Sequence, residues 1–289
     1  SSNCARISTK NIMTYSRIFV LFFISFFCIS NAIAEKLKFK SPEEYSAFSN
    51  INNAVFLPSK KLTSPTPAVI LLPSCDGIQK NSRAGYLRWT KFFLENGYAV
   101  LTVDHYQGRN GQQEGCSWIK RKVSETEMVR DLYDAVEYLS NIPNIDKNRI
   151  FSLGFSLGAM TNGLAASQRL YERLIKNKLR PRAVGGLYGA CHYDNNVNFL
   201  FPDTSIPLIW LMGANDTDTP ASDCLEVLNK IKKLNKAKVV WHIYPETSHC
   251  WDCREKNGFV LLSGHTMRYN ENSTEDSKKR VLGFFGSFK

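Results

Sequence analysis

The chain has 289 residues, 43% of them hydrophobic, and carries 37 Lys and Arg against 26 Asp and Glu, a formal net charge of +11. The positive charges are scattered, often beside acids, so the charge argues for solubility and not for a specific partner; with no nucleic-acid motif beside them, no nucleic-acid partner is expected. No internal repeat or low-complexity segment appears, which sets repeat architectures aside.

The first 34 residues are not expected to belong to the fold. From Met13 a short basic start leads into Ile18 to Ile29, an uncharged run of 12 residues, and then into Ser-Asn-Ala-Ile-Ala before Glu35. That order describes a secretory signal peptide cut after Ala34, with residues 1–12 lying upstream of the true start. The run is shorter than the ~18 apolar residues a spanning helix needs, so no stable membrane insertion is expected after cleavage. Cys28 follows bulky Phe27, which argues against a lipid anchor. Residues 35–289 then form one exported domain, periplasmic or secreted. They retain 34 Lys and Arg against 26 Asp and Glu, a net +8, because residues 1–34 hold Arg6, Lys10 and Arg17 and no acid. A domain of this length can bury a full core.

Beyond the leader, short apolar runs alternate with amphipathic stretches. Ala68 to Leu72 reads as a buried strand, 84–96 as a helix stopped by Gly97, and Tyr98 to Val103 as a second strand. Ser124 to Ser140 has apolar residues at helical spacing, with Ser124 and Glu127 placed for a capping box. Arg149 to Leu153 is a strand and Leu157 to Asn177 a helix. Ala183 to Tyr188, Leu208 to Met212 and Val239 to Tyr244 are further strands. Asp223 to Leu234 is a helix before the last strand, and Val281 to Phe285 belongs to a closing helix. Strand and helix in strict turn predict a mainly parallel sheet with helices on both faces. Functional groups are then expected at the carboxyl ends of the strands.

Gly154-Phe-Ser156-Leu-Gly158 follows a strand and opens a helix, the context in which Gly-x-Ser-x-Gly is a nucleophile elbow of the α/β-hydrolase fold. Ser156 is the candidate nucleophile, and the amide of Leu157 at the helix start is a candidate oxyanion donor. A serine hydroxyl needs a base, and the base a carboxylate, in chain order Ser, acid, His. His249 lies a short loop beyond Val239 to Tyr244 and is the expected base. His242 lies inside that strand, and His265 has no strand leading to it. Asp216 follows Leu208 to Met212 most closely and is the expected acid; Asp218 competes, or caps the next helix. The loop after the first core strand, Leu71 to Gly77, offers the amide of Cys75 as the second oxyanion donor.

Several segments together resemble the dienelactone hydrolase family, from about Ala54 to the end. They are Val69-Ile-Leu-Leu-Pro-Ser-Cys-Asp-Gly77, Asn96-Gly-Tyr-Ala-Val-Leu-Thr-Val-Asp104, Asn148 to Gly158, Gly213-Ala-Asn-Asp-Thr-Asp-Thr-Pro220 and Tyr244-Pro-Glu-Thr-Ser-His249. The resemblance implies that Ser156, Asp216 and His249 form the triad. The founding enzymes of that family use a cysteine nucleophile and a glutamate in the first loop. Here those positions hold Ser156 and, nearest to the glutamate, Ser74, and Pro73-Ser74 replaces the His-Gly of many relatives. These differences imply the broader esterase-like branch.

Six cysteines remain after the leader, an even count that suggests disulfides in an exported chain, with 15 possible connectivities. Neighbouring loops of the expected fold favour Cys75 with Cys116 and Cys191 with Cys224, leaving Cys250 with Cys253. No second Cys-x-x-Cys completes a zinc site, and the chemistry needs no cofactor. Arg109 and Tyr106 are candidate substrate contacts, Trp118 and Trp251 a candidate aromatic wall, and 108–122 a candidate lid. The expected reaction is hydrolysis of a small ester or lactone through an acyl-enzyme. A peptidase or polymer-ester hydrolase on the same triad, or a non-catalytic binding protein of the same fold, are the alternatives. Oligomeric state is not legible.

Overall fold

The structure is a computed structural model and describes residues 55–56, 65–78, 80–106, 116, 123–193 and 197–288. The leader, Arg109, Trp118 and the 108–122 stretch apart from Cys116 lie outside these residues.

In chain order the elements are β1 (Val55–Phe56), β2 (Thr66–Leu72), α1 (Lys80–Glu95), β3 (Ala99–Thr102), α2 (Glu125–Ser140), β4 (Ile145–Phe155), α3 (Leu157–Ala166) and α4 (Gln168–Leu174). There follow β5 (Ala183–Leu187), β6 (His192–Tyr193), β7 (Val197–Asn198), β8 (Leu208–Gly213), α5 (Ser222–Leu234), β9 (Val239–Tyr244), a 3-10 turn (Arg254–Lys256) and α6 (Glu271–Gly286). The main sheet runs β1-β3-β2-β4-β5-β8-β9. Its six strands from β3 to β9 are parallel, and β1 pairs antiparallel at the edge.

Strand β2 shows why helices cover both faces. Its side chains are buried apart from half-buried Pro67, and successive side chains of a strand point to opposite faces. Ala68, Ile70 and Leu72 pack in one cluster with Met128, Leu132 and Val136 of α2 and Met160 and Leu164 of α3. Val69 and Leu71 pack in another with Trp89 and Phe93 of α1 and Val281, Phe284 and Phe285 of α6. Phe285 stacks on Phe151 of β4 at 4.8 Å between ring centroids. Burying one such ring contributes roughly 1.5–3 kcal/mol.

The capping box on α2 forms as the sequence implies: Ser124 accepts from the Glu127 amide, and Glu127 accepts from the Ser124 amide. The single helix expected over Leu157 to Asn177 is instead two helices. Ser167 adopts extended backbone between them, accepts from the Leu170 amide as the N-cap of α4, and donates to Asp203 at 3.0 Å. A serine whose hydroxyl finds a capping amide competes with helix continuation. No apolar-periodicity argument sees that, because the break lies in one polar residue.

Candidate active site

Ser156 joins β4 to α3 with φ 52° and ψ −112°, a backbone region that disfavours side chains. Such conformations cost on the order of 1–3 kcal/mol and persist where the surroundings over-determine them. Here the Ser156 amide donates to the Leu187 carbonyl at 3.0 Å, and its carbonyl accepts from the Met160 amide at 3.0 Å. The flanking glycines allow the elbow to close. A Cβ at Gly154 would stand 2.1 Å from the Gly158 carbonyl oxygen, and one at Gly158 would stand 2.1 Å from that of Leu72.

Across the sheet ends, β8 leads into the loop that carries Asp216, and β9 into the loop that carries His249. The His249 Nε2 lies 3.2 Å from Ser156 Oγ, and its Nδ1 lies 2.8 Å from Asp216 Oδ2. With the proton on Nδ1 facing the carboxylate, the Nε2 lone pair faces the hydroxyl. All three side chains are buried. Burial works against a charged His249, but the charge and hydrogen bond of Asp216 outweigh it and leave its pKa above the ordinary imidazole value. Burial likewise opposes the charged form of Asp216. His249 and the amide and hydroxyl of Thr219 overcome that and hold its pKa below the ordinary carboxylate value.

The competing residues have other partners. Asp218 accepts from Ser263 Oγ at 2.9 Å and does not cap α5, whose N-cap is Ala221 without a side-chain bond. His242 packs edge-on against Tyr244 in β9 at 4.5 Å. His265 is buried beside the site, where its Nε2 accepts from the His249 amide at 3.1 Å.

The loop after β2 is held from several sides. The Ser74 amide donates to Tyr86 Oη at 2.9 Å, its hydroxyl donates to Asp76, and Asp76 pairs with Lys256 at 2.5 Å. Cys75 is joined to Cys116 with Cα atoms 4.9 Å apart. Tyr106, a candidate substrate contact, is buried, and its hydroxyl donates to the Cys75 carbonyl at 3.0 Å. That hydroxyl therefore holds the loop carrying the candidate oxyanion amide. Leu157 opens α3 and is buried.

Disulfides also join Cys191 to Cys224 and Cys250 to Cys253. The second of these bonds engages both sulfurs that, with Asp252, form a cluster of metal-ligating residue types. Trp251 is core rather than wall: it is fully buried, and its indole donates to Ser277 Oγ at 3.0 Å.

Sequence reasoning passed over Tyr188, Thr219 and Asp252. Tyr188 packs edge-on against His249 at 4.8 Å and donates to Asp252 Oδ1 at 2.7 Å, while Trp89 Nε1 donates to Asp252 Oδ2 at 2.8 Å. Burial, reinforced by Asp252, pushes the Tyr188 phenol well above its ordinary pKa, so it stays a neutral donor. The one available signal was position, since Tyr188 was the last residue of a strand expected to end at the site.

Among known proteins, the family model for the dienelactone hydrolase family matches residues 51–289. The chain is 26% identical over 215 residues to YtaP of Bacillus subtilis strain 168, a protein named as a hydrolase, covering 62% of this chain and 69% of that one. A crystal structure from Klebsiella pneumoniae named as a dienelactone hydrolase superposes with a TM-score of 0.61 at 20% identity, over 80% of this chain and 90% of its own. The carboxylesterase Cest-2923 of Lactobacillus plantarum gives a TM-score of 0.57 at 16% identity, over 80% and 92%. At these identities the two structures speak to the shared fold, and the family follows from the match across most of the sequence: this chain belongs to the dienelactone hydrolase family.

Proposed function

We propose that the protein is a serine hydrolase that cleaves a small ester or lactone through an acyl-enzyme, with Ser156, His249 and Asp216 as its triad. The observation that carries this reading is the continuous hydrogen-bonded line from Asp216 through His249 to Ser156 at the end of a strained elbow. Ser156 Oγ attacks the carbonyl carbon as its proton passes to His249 Nε2. The amides of Leu157 and Cys75 take the developing oxyanion, and His249 then gives the proton to the leaving alcohol. A water deprotonated by His249 attacks the acyl carbon and frees Ser156. Asp216 stays ionised throughout and stabilises the imidazolium. The resemblance of the fold to esterases of known structure supports an ester over other acyl substrates.

The domain is proposed to span 35–289 after removal of a leader ending at Ala34, and export is proposed with it. The three disulfides suit an oxidising compartment, and no helix among the described residues is long and apolar enough to cross a membrane. The test is labelling by a fluorophosphonate together with turnover of a panel of p-nitrophenyl esters, lactones and peptides. The reading requires label on Ser156 and loss of both label and turnover in Ser156→Ala. Turnover retained in that variant rejects it.

A further inference from the structure

We infer that His265 is a positioning residue that braces the acid loop against the base loop through both of its ring nitrogens. The inference rests on the triad reading above and assigns His265 no contact with substrate.

The His249 backbone N–H donates to His265 Nε2 at 3.1 Å. The Thr217 backbone N–H donates to the other ring nitrogen, Nδ1, at 3.3 Å, and Thr217 Oγ1 lies 2.7 Å from the same nitrogen. His265 therefore bonds the residue next to Asp216 with one nitrogen and the main chain of His249 with the other. Its ring stands edge-on to the His249 ring at 6.3 Å.

The support beneath that ring is fixed. His265 is buried, and its carbonyl accepts from the Leu261 amide at 2.8 Å. Gly264 and Met267 on either side are tied by bonds to the carbonyls of Leu261 and Phe259. The two active loops are also joined through Ala214 N–H to the Tyr244 carbonyl and Asn215 N–H to the Thr247 carbonyl, and at the His249 ring by Asp216 and Thr219. The link through His265 adds a tie from Thr217, on the C-terminal side of Asp216, to the main chain of His249. A displacement of about 1 Å at reacting groups can lower a rate by roughly 100-fold, which is the scale on which such a brace acts.

The experiment compares His265→Ala, His265→Gln, His265→Asn and Thr217→Val with the full-length wild type. Each is checked for folding by circular dichroism and thermal melting, and each is assayed for kcat, KM and the pH profile of kcat/KM on a p-nitrophenyl ester. Gln presents an amide near the position of Nε2, and Asn presents one near that of Nδ1. His265→Ala is expected to lower kcat by about 10–100-fold with little change in KM. Gln and Asn are each expected to recover part of that loss. Thr217 is exposed, so Thr217→Val is expected to fold and to show a smaller loss in kcat.

The acid limb of the profile separates positioning from mere stability. The groups facing His249 are Asp216 and Asp218 from the β8 loop, Lys256 from the 3-10 turn, Tyr188 after β5, and His265 itself. Loosening the Asp216 contact weakens the main influence that holds the imidazole proton, so the acid limb is expected to move to lower pH in His265→Ala. Wild-type kcat and an unmoved acid limb in the folded variants would overturn the brace. So would a loss that merely follows the folded fraction. Should His265→Ala not fold, His265→Gln and Thr217→Val decide by the same two readouts. A Ser156→Ala variant run alongside keeps the two readings apart. Turnover retained there rejects the triad itself, whereas its loss beside wild-type His265 variants rejects only the brace.

Discussion

Asp216 accepts from the amides of Asp218 and Thr219, from the Thr219 hydroxyl, and from His249. Three donors and an imidazole keep a buried carboxylate ionised, and the carboxylate in turn holds the His249 pKa above 6.5. The base works only when neutral. Activity is therefore expected to fall as pH drops through that raised value, with an acid limb in kcat/KM lying above the ordinary imidazole range. Asp216→Asn removes the charge while nearly keeping the shape. It is expected to lower kcat by about 10⁴-fold and to move the acid limb down, because burial then acts on His249 without the main charge that opposes it. A pH series on one chromogenic ester checks both, and an unmoved limb in that variant would contradict the pairing. The positions of Ser156, Asp216 and His249 at strand ends were legible because each follows an apolar strand by a fixed short loop. His265 was not legible, because no strand precedes it. It reaches the site from the far side of a loop whose path depends on tertiary bonds such as Gly258 N–H to the Met267 carbonyl.

Elements were legible where apolar spacing alone decides them. Buried strands β2, β5 and β8 read directly, as did the buried half of β4, whose more exposed start before Arg149 did not; so did α2, whose core face and N-cap both lie in local sequence. The break at Ser167 was hidden because it depends on Asp203, 36 residues away. The edge strand β1 and the short β6–β7 pair were hidden because two-residue strands carry no period. The α2 cap offers a test at this scale. Ser124→Ala removes the acceptor for the Glu127 amide and is expected to cost about 1 kcal/mol of stability, seen as a shift in a urea melt. Its kcat/KM at 25 °C should match wild type, since α2 supplies core packing and no residue of the site. At the elbow the opposite holds. Gly158→Ala forces a Cβ onto the Leu72 carbonyl, and backbone atoms cannot step aside as a side chain does. Loss of soluble folded protein, or of activity in whatever folds, is expected there.

At the scale of the molecule, one interaction controls both stability and turnover, and it does so in opposite directions. His249 has a folded pKa raised above its ordinary 6.5, so its contribution is fully present below 6.5 and is lost as pH rises through the folded value. Asp216 has a folded pKa below its ordinary 3.8, so its contribution is present above 3.8 and is lost as pH falls through the folded value. Their shared stabilisation is therefore largest between about pH 4 and 6.5, where His249 is protonated and cannot act as a base. Across the rise from pH 6 to 8, kcat/KM is expected to climb while the stability supplied by this pair declines. Other groups titrate over the same range, so the comparison must be a difference: the Tm of wild type minus that of Asp216→Asn, followed with pH. That difference is expected to shrink from pH 6 to pH 8. A difference that stays flat or grows would show that the pair is not coupled through the imidazole proton. The disulfide between Cys191 and Cys224 supplies the matching control. It closes a separation of 33 residues, and replacing both cysteines by serine is expected to cost roughly 2–5 kcal/mol. No group titrating in this window is involved, so the Tm deficit of that double variant should stay constant from pH 6 to 8 while the Asp216→Asn deficit narrows.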